Sequence, residues 1–260
     1  MGTRRSFMVR AAVTALCPPA VGLAVPDAGA VERARGFLAG LLDPDLDLLP
    51  EFRGSRTYWL YHDNYLAAAV LQRSHPEVAA RIRAAIARDG VTESGKIEIV
   101  LGESKAALPF RRYELVEVRR QGEKILKTEV VTAEVFADWQ SYADLLLLAS
   151  LAEKDKAAAS GHFALARGMW DGRGFADAVV PGAGRYASYK LALALLAARR
   201  KGFDFPEAAA VRTALLACQH ADGGIITDYT ADGRRVGFAN VETTSLAVLA
   251  LEATGFDADR

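Results

Sequence analysis

Trp170-Asp171-Gly172-Arg173-Gly174-Phe175, followed by Tyr186-Ala187-Ser188-Tyr189-Lys190 and the apolar run 191–198, has an echo further along the chain. The echo is Ala221-Asp222-Gly223-Gly224-Ile225, then Asn240-Val241-Glu242-Thr243-Thr244, then the apolar run 246–251. Asp222 stands 51 residues after Asp171, and Leu246 stands 55 after Leu191. A repeat of about fifty residues, each ending in an apolar helix-length run, predicts stacked helical hairpins. It also puts a polar cluster at the start of each buried helix, where a ligand can sit.

The same alternation extends outward from these repeats. Ser74-His75-Pro76-Glu77 opens an amphipathic helix with proline in its first turn, and Gly90 closes it. Val78, Ile82, Ala85 and Ile86 share one face of that helix, with Arg81, Arg83 and Arg88 elsewhere. Asp204-Phe205-Pro206-Glu207 opens another before Val211, Leu215 and Leu216, and weaker versions cover 31–42 and 156–169. Runs 65–71, 145–152, 191–198 and 246–251 are apolar nearly all round, so other helices must surround them. Four amphipathic helices alternating with four apolar ones predict a mainly α fold, a partial α/α toroid of about four helical hairpins. A plain antiparallel bundle is the alternative.

Between the first and second pairs, 96–101, 112–119 and 125–131 are rich in valine, isoleucine and tyrosine, with a turn at Gln121-Gly122-Glu123. They predict a small antiparallel sheet inserted at about 95–132. It would cover the mouth of the toroid or mediate self-association.

The chain has 260 residues, 51% hydrophobic, with 32 Lys and Arg against 32 Asp and Glu. That content supports one domain over 31–260, and the balanced charge gives no field for nucleic acid. The apolar runs are too short to cross a bilayer. Arg4, Arg5 and Arg10 lead into an uncharged stretch, 11–25, and Ala28-Gly29-Ala30 fits a small-residue cleavage site. Thr3-Arg4-Arg5-Ser6-Phe7-Met8 resembles the twin-arginine export signal, with an ordinary secretory signal as the alternative. The resemblance implies a signal peptide at 1–30, the twin-arginine export machinery as partner, and a periplasmic or extracellular protein with no stable membrane insertion after cleavage. Only Cys218 would remain, so no intramolecular disulfide is expected.

The residues opening the four apolar helices align as Tyr58-Trp59-Leu60-Tyr61-His62-Asp63-Asn64, Asp138-Trp139-Gln140-Ser141-Tyr142-Ala143-Asp144, Tyr186-Ala187-Ser188-Tyr189-Lys190, and Asn240-Val241-Glu242-Thr243-Thr244. In a toroid these starts converge on one face, where free N–H groups and helix dipoles add partial positive charge. Rings beside carboxylates and amides suit a carbohydrate or similar polar polymer. Two carboxylates across the basin could act as acid and base on a glycosidic bond. Asp63 and Glu242 are the first catalytic candidates, with Asp144 and Asp171 in reserve. Tyr58, Trp59, His62, Asn64, Trp139, Tyr142, Trp170, Tyr186, Tyr189, Lys190, Asn240 and Thr243 are the candidate substrate-binding residues. The competing reading is structural: Asp, Asn and Thr are ordinary helix caps, and Tyr and Trp fill the ends of cores.

Asp43, Asp45 and Asp47 do not open a calcium loop, because Leu48 and Gly54 stand where glycine and glutamate are needed. Gly182-Ala183-Gly184 lacks the strand a dinucleotide site requires. No metal or cofactor is expected.

Gln219-His220-Ala221-Asp222-Gly223-Gly224 resembles the Gln-x-x-Asp-Gly-Gly repeats of the squalene–hopene cyclase and prenyltransferase superfamily. That resemblance covers the last hundred residues or so and implies helices joined as in an α/α barrel. Ile225 stands where an aromatic is usual, and the cyclase acid motif Asp-x-Asp-Asp is absent. The hairpin arrangement is also similar to the six-hairpin glycosidases and related polysaccharide lyases. Three functions therefore remain open: a carbohydrate-binding protein, possible glycoside hydrolase or lyase, working through Asp63 and Glu242; a non-catalytic binding or scaffold protein; and a terpenoid cyclase or prenyltransferase-like enzyme.

Overall fold

A computed structural model describes residues 27–102, 110–178 and 184–252. The described residues are mainly α with two small three-stranded sheets. The elements run α1 (Asp27–Ala39), β1 (Tyr58–Leu60), α2 (Tyr61–Leu71), α3 (Pro76–Arg88), α4 (Ile97–Leu101), β2 (Arg111–Gln121) and β3 (Lys124–Val135). They continue with α5 (Ala143–Ala152), α6 (Lys156–Arg167), β4 (Arg185–Ala187), α7 (Ser188–Lys201), α8 (Ala208–Ala217), β5 (Ile226–Thr230), β6 (Arg235–Ala239) and α9 (Val241–Leu251). Among the described residues no helix is long and apolar enough to cross a membrane.

The two expected kinds of helix are both present. In α3 only Ala79, Ile82, Ala85 and Ile86 are buried, a single stripe. In α6 they are Ala159, Phe163 and Ala166, and in α8 Val211 and Leu215. By contrast α2, α5, α7 and α9 are buried on nearly every face. These four central helices pack on one another in the order α5–α7–α9–α2, and α4 touches both α5 and α2. Outer partners lie beside their sequence neighbours: α3 on α2, α6 on α5, α8 on α7, while α1 packs on α9 and α2.

The two turns of the repeat are built alike. Trp170 bridges to Phe175 and Gln219 bridges to Ile225, and Asp171 and Asp222 each accept a bond from a following glycine N–H. Gly223 lies at φ +100, and a Cβ there would sit 2.1 Å from the Arg33 carbonyl oxygen of α1. Gln219 finishes that fastening by donating to the Ala30 carbonyl at 2.8 Å. The Gln-x-x-Asp-Gly-Gly segment thus leads from α8 into β5 and fastens itself to α1 on the way.

The inserted sheet differs from expectation in one strand. β2 and β3 form the antiparallel hairpin around Gly122, and β1 adds to β3 in parallel, Tyr58 opposite Ile125. Residues 96–101 are not a strand: Ile97–Leu101 form α4, all five buried, closed by Gly102 at φ +74. A β-branched run packed between two helices, with no strand paired to it among the described residues, takes the helix its surroundings favour. The second sheet, β4-β5-β6, was not expected; its hairpin turns at Asp232-Gly233. Residues 1–26, which hold the twin-arginine pattern, lie outside the described residues. Ala28-Gly29-Ala30 belong to α1, with Ala30 buried.

Candidate functional site

Three of the four central helices follow a strand directly, β1 into α2, β4 into α7 and β6 into α9, and α5 follows a short 3-10 turn. The residue ahead of each helix is extended, so each helix begins abruptly. Only Asn240 caps with its own side chain, its Oδ1 accepting from Thr243 N at 2.9 Å. For α5 the cap comes from a distance: Asp177 Oδ2 accepts from Ala143 N at 2.9 Å.

The second residues of the four helices, His62, Asp144, Tyr189 and Glu242, line one cleft of about 200 Å³. Four residues on, a leucine follows in every helix: Leu66, Leu148, Leu193 and Leu246. The last three floor the cleft together with Ile97 and Val100 of α4. An i, i+4 pair lies on one helix face, so one phase shared by three helices gives a polar rim above an apolar base. Lys96 and Glu129 complete the rim. Neither was anticipated. Lys96 was hidden in the misassigned strand, and Glu129 sits in an alternating β3 pattern that carries no distinguishing signal.

Burial, and then the charges of Glu129, Asp144 and Glu51, push the Glu242 carboxyl up to about 7, against the lowering effect of Lys96. Burial lowers His62, so its imidazole is neutral at pH 7. Tyr189 is raised well above the ordinary phenol by burial and by Asp144, to which its hydroxyl donates at 3.0 Å. His62 Nδ1 and Asp144 Oδ1 are buried with no hydrogen-bond partner. Among the described residues no three of His, Cys, Asp and Glu are gathered to hold a metal ion.

Other expected residues stand back from this rim. Asp63 is 2% exposed and does not line the cleft; its Oδ1 lies 3.4 Å from His62 Nε2. Burial, then Glu242, Glu51 and Glu129, hold its carboxyl well above the usual range. Lys190 is 1% exposed and pairs with Asp177 at 2.5 Å. Asn64 is fully enclosed, accepting from Leu49 N and donating to the carbonyls of Leu49 and Leu60. Thr243 is buried beneath its cap. These side chains face inward because one residue along a helix turns about 100°, and two about 200°, away from the cleft.

The remaining candidates serve elsewhere. Asp171 Oδ1 accepts from Arg173 N and Gly174 N, and Oδ2 accepts from Tyr186 at 2.5 Å, so it is a turn residue. Tyr186 is buried by that contact and packs on Tyr229. Trp170 packs edge-on to Phe175 and lines a separate open groove of about 510 Å³ with Cys218 and alanines of α8. Trp139 packs against Phe110 and His162, and Tyr142 beside Phe136. Trp59 is in the core with Lys124 over its ring, and Tyr58 is exposed beneath Lys127. Asn240 is the α9 cap. Compared with protein-family models, curated proteins and solved structures, the chain finds no match.

Proposed function

We propose that the chain is an exported protein whose central cleft performs acid–base chemistry on a carbohydrate, as a glycoside hydrolase or lyase. The reading takes the chain as a partial α/α toroid, supported by the packing of α5, α7, α9 and α2 on one another, with α4 against α5 and α2, and α1, α3, α6 and α8 beside them. The single observation that carries it is Glu242, a carboxyl held near pH 7 in a cleft that also presents Asp144. Two carboxyl groups whose surroundings differ are the usual basis for dividing acid from base.

In this reading Glu242 donates a proton to the departing oxygen, and Asp144, oriented by Tyr189, faces the developing positive charge of the sugar ring. His62 is a second proton carrier through Nδ1. Asp63 stands behind the imidazole, 3.4 Å from Nε2, and in this reading does not touch substrate, which revises its expected catalytic role. The leucine floor takes the apolar face of the ring. A cleft of about 200 Å³ accepts one ring rather than a length of chain, so a polymer would enter by its end. The polar rim also disfavours a hydrocarbon substrate of the terpenoid kind.

A binding protein without turnover is the second reading, favoured by the Tyr189 bond that already engages Asp144. The two separate by experiment. Glu242→Gln assayed on a panel of aryl glycosides and polysaccharides, by reducing-end release and by absorbance of unsaturated products, should lose about 10²–10⁴ in rate with binding retained. Turnover unchanged in the variant would overturn the acid–base assignment, and binding with no turnover in either protein would leave the lectin-like reading. Export is tested by N-terminal sequencing of secreted material. A mature chain that keeps Ala30 would place processing before Ala30 rather than after it, consistent with the bond from Gln219 to the Ala30 carbonyl.

A further inference from the structure

The rim sets three carboxyl groups, Glu129, Asp144 and Glu242, against one ammonium, Lys96. That ammonium lies over the Tyr113 ring, 5.4 Å from its centroid. Asp144 Oδ1 is buried without a donor, and His62, 7% exposed on the cleft wall, holds Nδ1 without a partner. A buried carboxylate oxygen left without a donor is costly, and a ligand that brings both N–H groups and positive charge relieves that cost.

We infer that the ligand of this cleft carries a primary ammonium group and, resting on the carbohydrate reading above, that the substrate class is an unacetylated amino sugar. An ammonium offers three donors to a rim of three carboxyl groups. A sugar with hydroxyls alone leaves the negative excess in place, and an acetamide adds a carbonyl acceptor where acceptors already predominate. The charged and titratable groups around Glu242 come from every neighbouring element: Glu129 of β3, Lys96 ahead of α4, Asp144 of α5, Tyr189 of α7, His62 and Asp63 of α2, and Glu51 ahead of β1. An added cation among them favours ionised Glu242, so binding near neutrality expels a proton.

Titration calorimetry on the full chain tests this with four probes: a glucosamine oligosaccharide, its N-acetylated counterpart, a glucose oligosaccharide of equal length, and cyclohexylammonium. The free amine should bind about tenfold to a hundredfold tighter than the other two sugars. The heat of cyclohexylammonium, which is fully charged near neutrality and cannot take up the proton, should vary with the buffer's ionisation enthalpy, reporting proton release, and Glu242→Gln should abolish that variation. Equal or tighter binding of the acetylated or neutral sugar overturns the ammonium assignment and leaves the carbohydrate reading standing. Binding of cyclohexylammonium with none of the sugars does the reverse. Binding of no probe overturns both.

Discussion

Glu242→Gln removes one ionisation while keeping the side chain's shape, so it isolates the electrostatic burden of the cleft. The Glu242 carboxyl, ordinarily near 4.5, is held at about 7 in the folded chain. Below about pH 4.5 it is protonated in both folded and unfolded chains and contributes no difference. As pH rises from there through 7, the unfolded chain releases the proton while the folded chain retains it, and stability falls; above 7 the deficit is constant. The gap corresponds to roughly 3 kcal/mol at most. Glutamine does not ionise, so E242Q should match the parent at pH 4 and exceed it by about 3 kcal/mol at pH 8. For a domain of this size that is a melting-temperature gain of roughly 6–12 °C. Urea unfolding of both proteins at pH 4, 5.5, 7 and 8 measures the difference directly. A difference that stays flat with pH, or a variant less stable than the parent at pH 8, would refute the account of the cleft. A stabilising substitution at the proposed proton donor is what a site that sacrifices stability for activity should show.

Lys190→Met leaves Asp177 buried without its ammonium and should cost about 3–5 kcal/mol in chemical denaturation. Adding Asp177→Asn, which keeps an acceptor for Ala143 N, should recover a good part of it; no recovery would mean the pair is not coupled. Gly223→Ala should be more damaging than Gly122→Ala, whose positive-φ strain alone costs about 1 kcal/mol, because the new methyl meets the α1 backbone and Gly122 faces open space. Equal melting temperatures for these two variants would remove the fastening assigned to the Asp-Gly-Gly turn.

Much of the fold was legible because helix burial writes itself into composition. Runs such as 145–152 have no wet face, and Ala79, Ile82, Ala85 and Ile86 recur at helical spacing. The site was legible to the level of helix starts but not of helix phase. Position two of each central helix faces the cleft, whereas position three faces the interior, so Asp63, Lys190 and Thr243 were grouped with His62, Tyr189 and Glu242. The leucine four residues beyond each cleft residue was the available marker, hidden because the helices are leucine-rich throughout. Lys96 and Glu129 carried no local signal, since they reach the cleft only through tertiary packing. The Asp232-Gly233 turn was a readable hairpin sign for the second sheet.

Why so many acidic groups are tolerated at one mouth follows from the same geometry. Asp63, Asp144 and Glu242 all sit in the first turn of their helices, where unpaired N–H groups and the dipole stabilise an anion by about 0.3–1 kcal/mol each. Burial and mutual repulsion act against that and prevail at Asp63 and Glu242, both of which are held above the usual carboxylate range. Among the described residues Lys96 is the one rim cation, and its effect on Glu242 is to lower it. Burial and the neighbouring carboxyl groups therefore outweigh Lys96 and leave Glu242 at about 7, the range in which a carboxyl can exchange a proton near neutrality. Asp63, set further from the cleft, has no such access and remains a buried acid behind His62. Glu242 is the second residue of its helix and Asp63 the third of its own, and that one step of helical phase separates the group on the cleft from the group behind it.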